Sequence, residues 1–538
     1  MVSQIASSRS YALGILPLAC GFLAACSANT SPAETADNVG PTTGAGLADS
    51  GVGGDTNART TDSGTANVEA GLVSTDSGVV SNTPPPGCPS PDADAGTPIG
   101  TPVGTLLVSG NSLSARGVTS DGYEIFSDDA AMQLYAVPVA GGTPQSIVAL
   151  GSKFWVTVVG KVVFAWSNVT SANVGALTVW SSSTGSHAVS SASFGILGAS
   201  SPDGTQILYV GNVDPTGATG DVYVAGTNGS AATSILQAQQ LAGCFPQLGF
   251  SGTYAVASHC DTARGTGPSA TISSFLSPAW TRADLVTDAE NTWSTDKAAT
   301  MVLASTSAGI LVLPIGGGAS MVIDSQGFLG QLIAGGTTAI YSTTAGPLRS
   351  SPTMAPAPMA LAPAFGGFYS VSPDQSTVLF YENSVATGTD IYLSSTVMPN
   401  TSRAVSTATN GAVNGDAFTA DSLYALYSTS NDMCTGASAF NAVQLSAGSP
   451  TVLGHNVWGD WSASGSKVIF NDNYVATGGL RFGRADIESV NLTAGGTPVR
   501  VVAQADAVID LTPAKDQIIY SWSVQPGPLA GLYETPVP

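Results

Sequence analysis

A tight polar turn followed by a run of apolar, β-branched and aromatic residues recurs along this chain at roughly 40–50 residue intervals, the period of a propeller blade. The clearest copies are Ser201-Pro202-Asp203-Gly204 ahead of Gln206-Ile207-Leu208-Tyr209-Val210, and Ser372-Pro373-Asp374-Gln375 ahead of Val378-Leu379-Phe380-Tyr381. Each is followed by a second strand-like run, Asp221-Val222-Tyr223-Val224 and Asp390-Ile391-Tyr392-Leu393. Shorter versions stand at Ser120-Asp121-Gly122 and Ala463-Ser464-Gly465, and degenerate ones at Thr419-Ala420-Asp421 and Thr512-Pro513-Ala514-Lys515. Proline presets φ at the first central turn position, aspartate caps the turn, and glycine accepts a positive φ. Units without the turn signature centre on Val162, Tyr254, Met301 and Ile340, which brings the reading to about ten four-stranded units. The expected fold is all-β: a large β-propeller over 101–538, with seven or eight blades or two smaller rings as alternatives.

The two ends of this region complement each other. The last unit stops after a third strand, Gly531-Leu532-Tyr533-Glu534, while Gly104-Thr105-Leu106-Leu107-Val108 is a strand without a blade of its own. Pairing 104–108 with 530–536 would close one ring and remove an exposed sheet edge. That ladder is the sharpest prediction the sequence makes.

Composition narrows the function classes. The 538 residues carry 36 Asp and Glu against 15 Lys and Arg, a formal net charge of -21. Phosphate backbones repel such a chain, so nucleic acid is not an expected partner. With 63 glycines and only 9% charged residues, a coiled coil or helical array is also excluded.

The first 25 residues read as a secretory signal: Arg9 without acids, then an apolar run from Tyr11 to Ala25 that is too short to span a bilayer. It ends in Leu23-Ala24-Ala25-Cys26, which resembles the bacterial lipoprotein lipobox. The resemblance implies cleavage before Cys26 and acylation of that cysteine, with the membrane reached through this anchor only; Ser27 after it implies sorting to the outer membrane, facing periplasm or exterior. Residues 26–100 are dominated by Ala, Gly, Ser, Thr, Asp and Pro and lack an apolar period, as expected of a disordered tether. The turn, the apolar strand and the later Asp-Val-Tyr-Val strand resemble the PD40 repeat of TolB-like propellers. That family implies recruitment of envelope proteins, although its propellers have six blades and none of its partner-binding residues maps onto this chain.

Four cysteines remain beyond Cys20 and Cys26. Cys244 and Cys260 flank a turn centred near Gly252, which in a symmetric hairpin places them opposite each other at disulfide-compatible spacing. Cys88 is then left to pair with Cys434; free buried thiols are the alternative.

Catalytic signatures are missing from the sequence: three histidines in all, no His-Glu-x-x-His, no Gly-x-Ser-x-Gly, no phosphate-binding loop. Binding is therefore expected before catalysis. In a blade of strands a to d, the a–b turns occupy one face of the ring and the b–c and d–a loops the other. The aspartates of the repeated turns are expected to be structural. Acidic and amide residues recur in the b–c connections, at Asp128-Asp129, Asn168, 212–214, Asp261, Glu382-Asn383, Asn431-Asp432 and Asn471-Asp472-Asn473. Such groups suit Ca²⁺ or sugar hydroxyls, with Asp128, Asp129 and Asp472 as candidate Ca²⁺ ligands and no other cofactor expected; the competing reading is that they simply end strands. The best local cluster is His455, Trp458 and Asp460 in a d–a loop beside Asn471, Asp472 and Asn473, with Trp458 and Trp461 as flat platforms or, alternatively, as packing between blades. The expected function is a monomeric envelope scaffold holding a protein or polysaccharide, with a glycan-active hydrolase or lyase and a structural or adhesive surface protein as the alternatives.

Overall fold

In the computed structural model the described residues run from 100 to 538, apart from 242–245, 262–269, 344–345, 363–368, 385–387, 430–436, 476–482, 523–526 and a few shorter gaps. Among them there is no α-helix, and the non-strand structure includes one 3-10 turn at Ala334–Gly336. The strands form ten blades in chain order: 113–149, 155–190, 193–240, 248–286, 289–324, 327–362, 369–409, 412–457, 462–506, and 509–536 completed by 105–109. Within every blade the strands pair antiparallel with their sequence neighbours, as short connections dictate. Blade 8 has three regular strands, and its innermost position is filled by the bridges Ala412↔Ser428 and Phe418↔Ala425.

Four blades are not separate sheets. Gly185–Ser200 pairs first with Val174–Ser181 and then with Gln206–Gly211, so one strand is the outer edge of blade 2 and the inner edge of blade 3. Thr281–Thr295 does the same between blades 4 and 5. Gln239 and Gln240 pair with Asp261 and Cys260, which links blades 3 and 4. Hydrogen bonding is therefore continuous from blade 2 to blade 5, where the repeat pattern suggested independent units.

The ring closes as the sequence predicted. Thr105–Ser109 pairs antiparallel with Gly531–Pro536, with Thr105 opposite Glu534 and Ser109 opposite Gly531. Tyr520 holds the approach to this strand, its hydroxyl donating to the Val103 carbonyl at 2.6 Å and accepting from the Val103 amide at 2.8 Å. Leu113 and Phe126 of blade 1 share an apolar cluster with Ile519 and Leu532 of blade 10.

Similar seams join each blade to the next, as in Ile469 and Val502 against Ile518 and Tyr520 between blades 9 and 10. Strands buried on both faces need continuous apolar runs, which is why the repeat reads Ile-Leu-Tyr-Val rather than alternating. At roughly 1.5–3 kcal/mol for each fully buried large side chain, these seams are the main source of cohesion in the ring. One ring of ten blades replaces the alternatives of seven, eight or two rings.

Candidate functional site

The repeated turns lie together on one face, the turn face. Ser201, Ser372 and Thr419 each donate a hydroxyl hydrogen bond to the aspartate two residues on, Asp203, Asp374 or Asp421, at 2.6 Å. The same hydroxyls accept the amides of Gln206, Thr377 and Tyr424 at 2.9, 3.0 and 3.1 Å, and so fix where the second strand begins. The Ser201 bond holds the Asp203 carboxyl below its ordinary value against the cost of burial. For Asp374 burial is the larger influence, yet the hydrogen bonds from Ser372 and Ser376 still leave the carboxyl lowered. The residue after the aspartate has positive φ, +72° at Gly204 and +62° at Gln375. Glycine adopts that conformation without strain, but the copies that lack it keep the same backbone. Each of these aspartates accepts a hydroxyl and an amide within its own turn.

On the opposite face, the loop face, a different device appears. Asn212, at φ +50°, donates through Nδ2 to Asp221 Oδ2 at 2.9 Å, and Asp221 Oδ1 accepts the amide of Ala238 at 2.7 Å. Blade 9 repeats it: Asn473 at φ +53° donates to Asp486 Oδ2 at 3.0 Å, and Asp486 Oδ1 accepts the Gln504 amide at 2.9 Å. An aspartate that opens strand c thus clasps the end of strand b and the bulge of strand d. The sequence showed both residues but gave no reason to join an asparagine to an aspartate 9 or 13 positions later.

This corrects the expected loop placement. Asn471, Asp472 and Asn473 lie within strand b of blade 9, Lys467–Val475, and His455 within strand d of blade 8, Thr451–Val457. Strand pairing simply extends further toward the face than the turn residues suggested. Asp460 lies outside the described residues. The remaining members do converge at the junction of blades 8 and 9. The Asn456 amide donates to Asp472 Oδ1 at 3.0 Å, the Asn456 side chain donates to the Tyr474 carbonyl at 2.7 Å, and the Trp458 amide donates to the Asn471 carbonyl at 3.2 Å. The half-buried Trp458 ring lies parallel to Tyr474, centroids 5.0 Å apart and planes 8° from parallel. His455 is exposed, and Asn471 is buried.

Trp461 does not belong to this surface. It is 1% exposed, stacks on Phe440 at 4.3 Å and donates its indole N–H to the Asp416 carbonyl at 2.8 Å. The packing alternative holds for Trp461, while Trp458 stays at the surface.

Asp472 and Asp486 stand directly opposite on adjacent strands. Burial, and then these two carboxylates, push the Glu488 carboxyl above its ordinary value, partly offset by Arg500. Arg500 also pairs with Asp486 at 3.2 Å. The junction therefore offers aromatic surface beside acidic acceptors, suited to hydrogen-bond donors such as sugar hydroxyls or peptide amides.

The candidate Ca²⁺ ligands are not brought together. Asp128 and Asp129 are on blade 1 and Asp472 on blade 9. Asp128 Oδ1 caps the amides of Ala130 and Ala131 at 3.0 Å, and Asp129 pairs with the buried Arg116 at 3.2 Å. No cluster of three acidic, histidine or cysteine side chains suited to a metal occurs among the described residues.

His259 is buried, and its ring contacts Gln239 Oε1 and Ser273 Oγ, both at 2.9 Å. Ser273 donates in turn to Asp284 at 2.7 Å, which makes it a buried link joining blades 3 and 4. Cys260 beside it is disulfide-bonded. Cys244, Cys88 and Cys434 lie outside the described residues, as do Cys26, the signal segment and the tether up to residue 99.

Ten radially ordered blades, nine of four strands and one of three with bridges in the innermost place, closed by an N-terminal strand, define a β-propeller. No family model matches this chain, and no curated protein sequence does either. Solved structures similar to it include a eukaryotic initiation factor at 12% identity, covering 66% of this chain and 89% of that one with a TM-score of 0.43. TolB from Acinetobacter baumannii is 13% identical over 54% of this chain and 63% of its own, with a TM-score of 0.25. Dipeptidyl peptidase 4 of Porphyromonas gingivalis is 9% identical over 74% and 60%, with a TM-score of 0.41. Likenesses this distant carry no argument about this chain, whose fold stands on its own strand pairing.

Proposed function

We propose that this chain is an exported, lipid-anchored propeller of the cell envelope that holds a protein or polysaccharide partner on its loop face. The observation that supports this reading is the junction of blades 8 and 9, where Trp458 lies flat on Tyr474 beside Asp472 and the exposed His455. Aromatic residues with polar neighbours are typical anchors for sugars and peptides, since one flat surface serves apolar contact while the rim fixes orientation. Acylation at Cys26 supplies the anchor, and residues 26–100 join it to the ring. A Cys244–Cys260 disulfide would brace the blade 3–4 junction.

The test uses the chain from Ser27 onward, exposed to envelope extracts and to a glycan array, with Trp458→Ala and Asp472→Ala in parallel. Selective capture by the unaltered protein, lost in both variants while each still unfolds cooperatively at only a slightly lower melting temperature, is the expected result. Identical capture by Trp458→Ala would move the partner surface elsewhere, and loss of stability without loss of binding would reduce the junction to packing.

A further inference from the structure

The turn face carries a feature that the proposed partner surface does not explain. Where the turns of blades 1, 2 and 3 meet there is a cleft of about 430 Å³, within the size range of small-molecule sites. Its walls come from the a–b turns of all three blades, through Asp121, Lys161 and Asp203, and from the c–d turns of blades 2 and 3.

The walls are held in place before any ligand arrives. The Ser120 amide donates to the Gly160 carbonyl at 2.8 Å, and Ser182 Oγ donates to Asp121 Oδ2, so blades 1 and 2 are tied across the cleft. Asp203 is fixed by Ser201 and Thr205 as described for its turn. Asn228 Oδ1 accepts the Ser230 amide at 3.0 Å, and the Thr227 amide donates to the Thr205 carbonyl at 3.0 Å, which sets the far wall. The aliphatic stem of Lys161 packs on Gly204, where an added Cβ would lie 3.3 Å from Lys161 Cβ.

The chemistry of the lining is unusual for a surface dimple. No aromatic or large aliphatic residue contributes. The hydroxyls of Ser182, Thr205, Thr227 and Ser230 already donate to Asp121, Asp203, the Thr205 carbonyl and Asn228, which leaves their oxygens as acceptors, while the Asn228 side-chain amide adds N–H donors. Lys161 is exposed and adds an ammonium that only donates, and the carboxylates of Asp121 and Asp203 only accept. An anionic ligand would gain one lysine and face two like charges; a cationic ligand would gain those two carboxylates but leave the lysine and amide donors unmatched. A neutral polyol meets both requirements, because each hydroxyl donates to a carboxylate and accepts from an ammonium.

We infer that this cleft is a preformed binding site for a neutral saccharide unit, on the face of the ring opposite the Trp458 junction. Recognition is through hydrogen bonds alone, so affinity for a single unit is weak and selectivity follows hydroxyl geometry. A polysaccharide would gain by presenting many units to the same site.

The experiment is saturation-transfer NMR and calorimetry on the chain from Ser27 onward. The probes are neutral trisaccharides of glucose, galactose, mannose and N-acetylglucosamine, with inorganic phosphate and glucuronate as anionic controls and glucosamine as a cationic one. At least one neutral trisaccharide should bind in the millimolar range, and neither anion should. Lys161→Ala, at an exposed position, should weaken that binding by about tenfold without altering the melting temperature, as expected for loss of a charge-assisted hydrogen bond. Trp458→Ala should leave it unchanged, which separates this site from the loop-face reading. Binding of none of the four neutral sugars, preference for phosphate or for glucosamine, or full affinity in Lys161→Ala would each overturn the inference.

Discussion

On the turn face, Asp203, Asp374 and Asp421 bond to a hydroxyl and an amide within their own turns. On the loop face, Asp221 and Asp486 reach out of their own strand to both neighbours, one through an asparagine side chain and one through a backbone amide at a bulge. The same carboxylate therefore stabilises one connection in the first case and three strands in the second. A turn can vary with little effect beyond itself, and the degenerate copies at Thr419 and Thr512 show that it does. A clasp cannot vary alone, since its loss frees a buried bulge and the end of another strand together.

The contrast can be tested by substitution. Trp461→Ala should cost about 3–5 kcal/mol, as for truncation of a buried aromatic, and thermal unfolding would show whether the junction of blades 8 and 9 depends on it. Asp486→Ala should cost about 2–3 kcal/mol, because buried donors lose their acceptor. Asp203→Ala should cost about 1 kcal/mol, as when a capping side chain is lost. A denaturation series in which Asp203→Ala proves as damaging as Asp486→Ala would erase the distinction between the two faces. Trp458→Ala should cost about 1 kcal/mol, the worth of one aromatic pair, while removing partner capture.

The smallest effect separates the faces by pH. The folded-state values of Asp203 and Asp374 lie below the ordinary 3.8. Their contribution is therefore fully present above that value and lost as pH falls through the lowered ones. Glu488 has the opposite sign: its value is raised above 4.5, so its ionised form costs stability at neutral pH. Glu488→Gln should raise the melting temperature at pH 7, with the gain shrinking as pH falls through the raised value and absent below 4.5. A gain that persists in acid would mean that packing, and not charge, is responsible.

Much of this architecture was legible in the chain. Ser201-Pro202-Asp203-Gly204 and its relatives encode geometry locally, since hydroxyl, proline, carboxylate and glycine each act within a few residues. Blade number and the closing ladder follow from counting such units and noticing one strand too few at one end and one too many at the other. The candidate site was legible only in part. Trp458 and Trp461 are three residues apart with similar surroundings in sequence, yet one stacks on Tyr474 at the surface and the other on Phe440 in the core. Asp128 and Asp472 looked alike as strand-end acids and turned out to sit on blades 1 and 9. The cleft around Lys161 was invisible, because its walls come from three blades.

What the sequence determined alone was whatever acts over short distances: where strands turn, which runs are buried on both faces, and the surplus strand that completes the ring. What only the tertiary structure decided was which polar groups meet. Hydrogen bonds and clefts on a propeller face are built between blades, and that juxtaposition depends on ring geometry, which no local run of residues specifies.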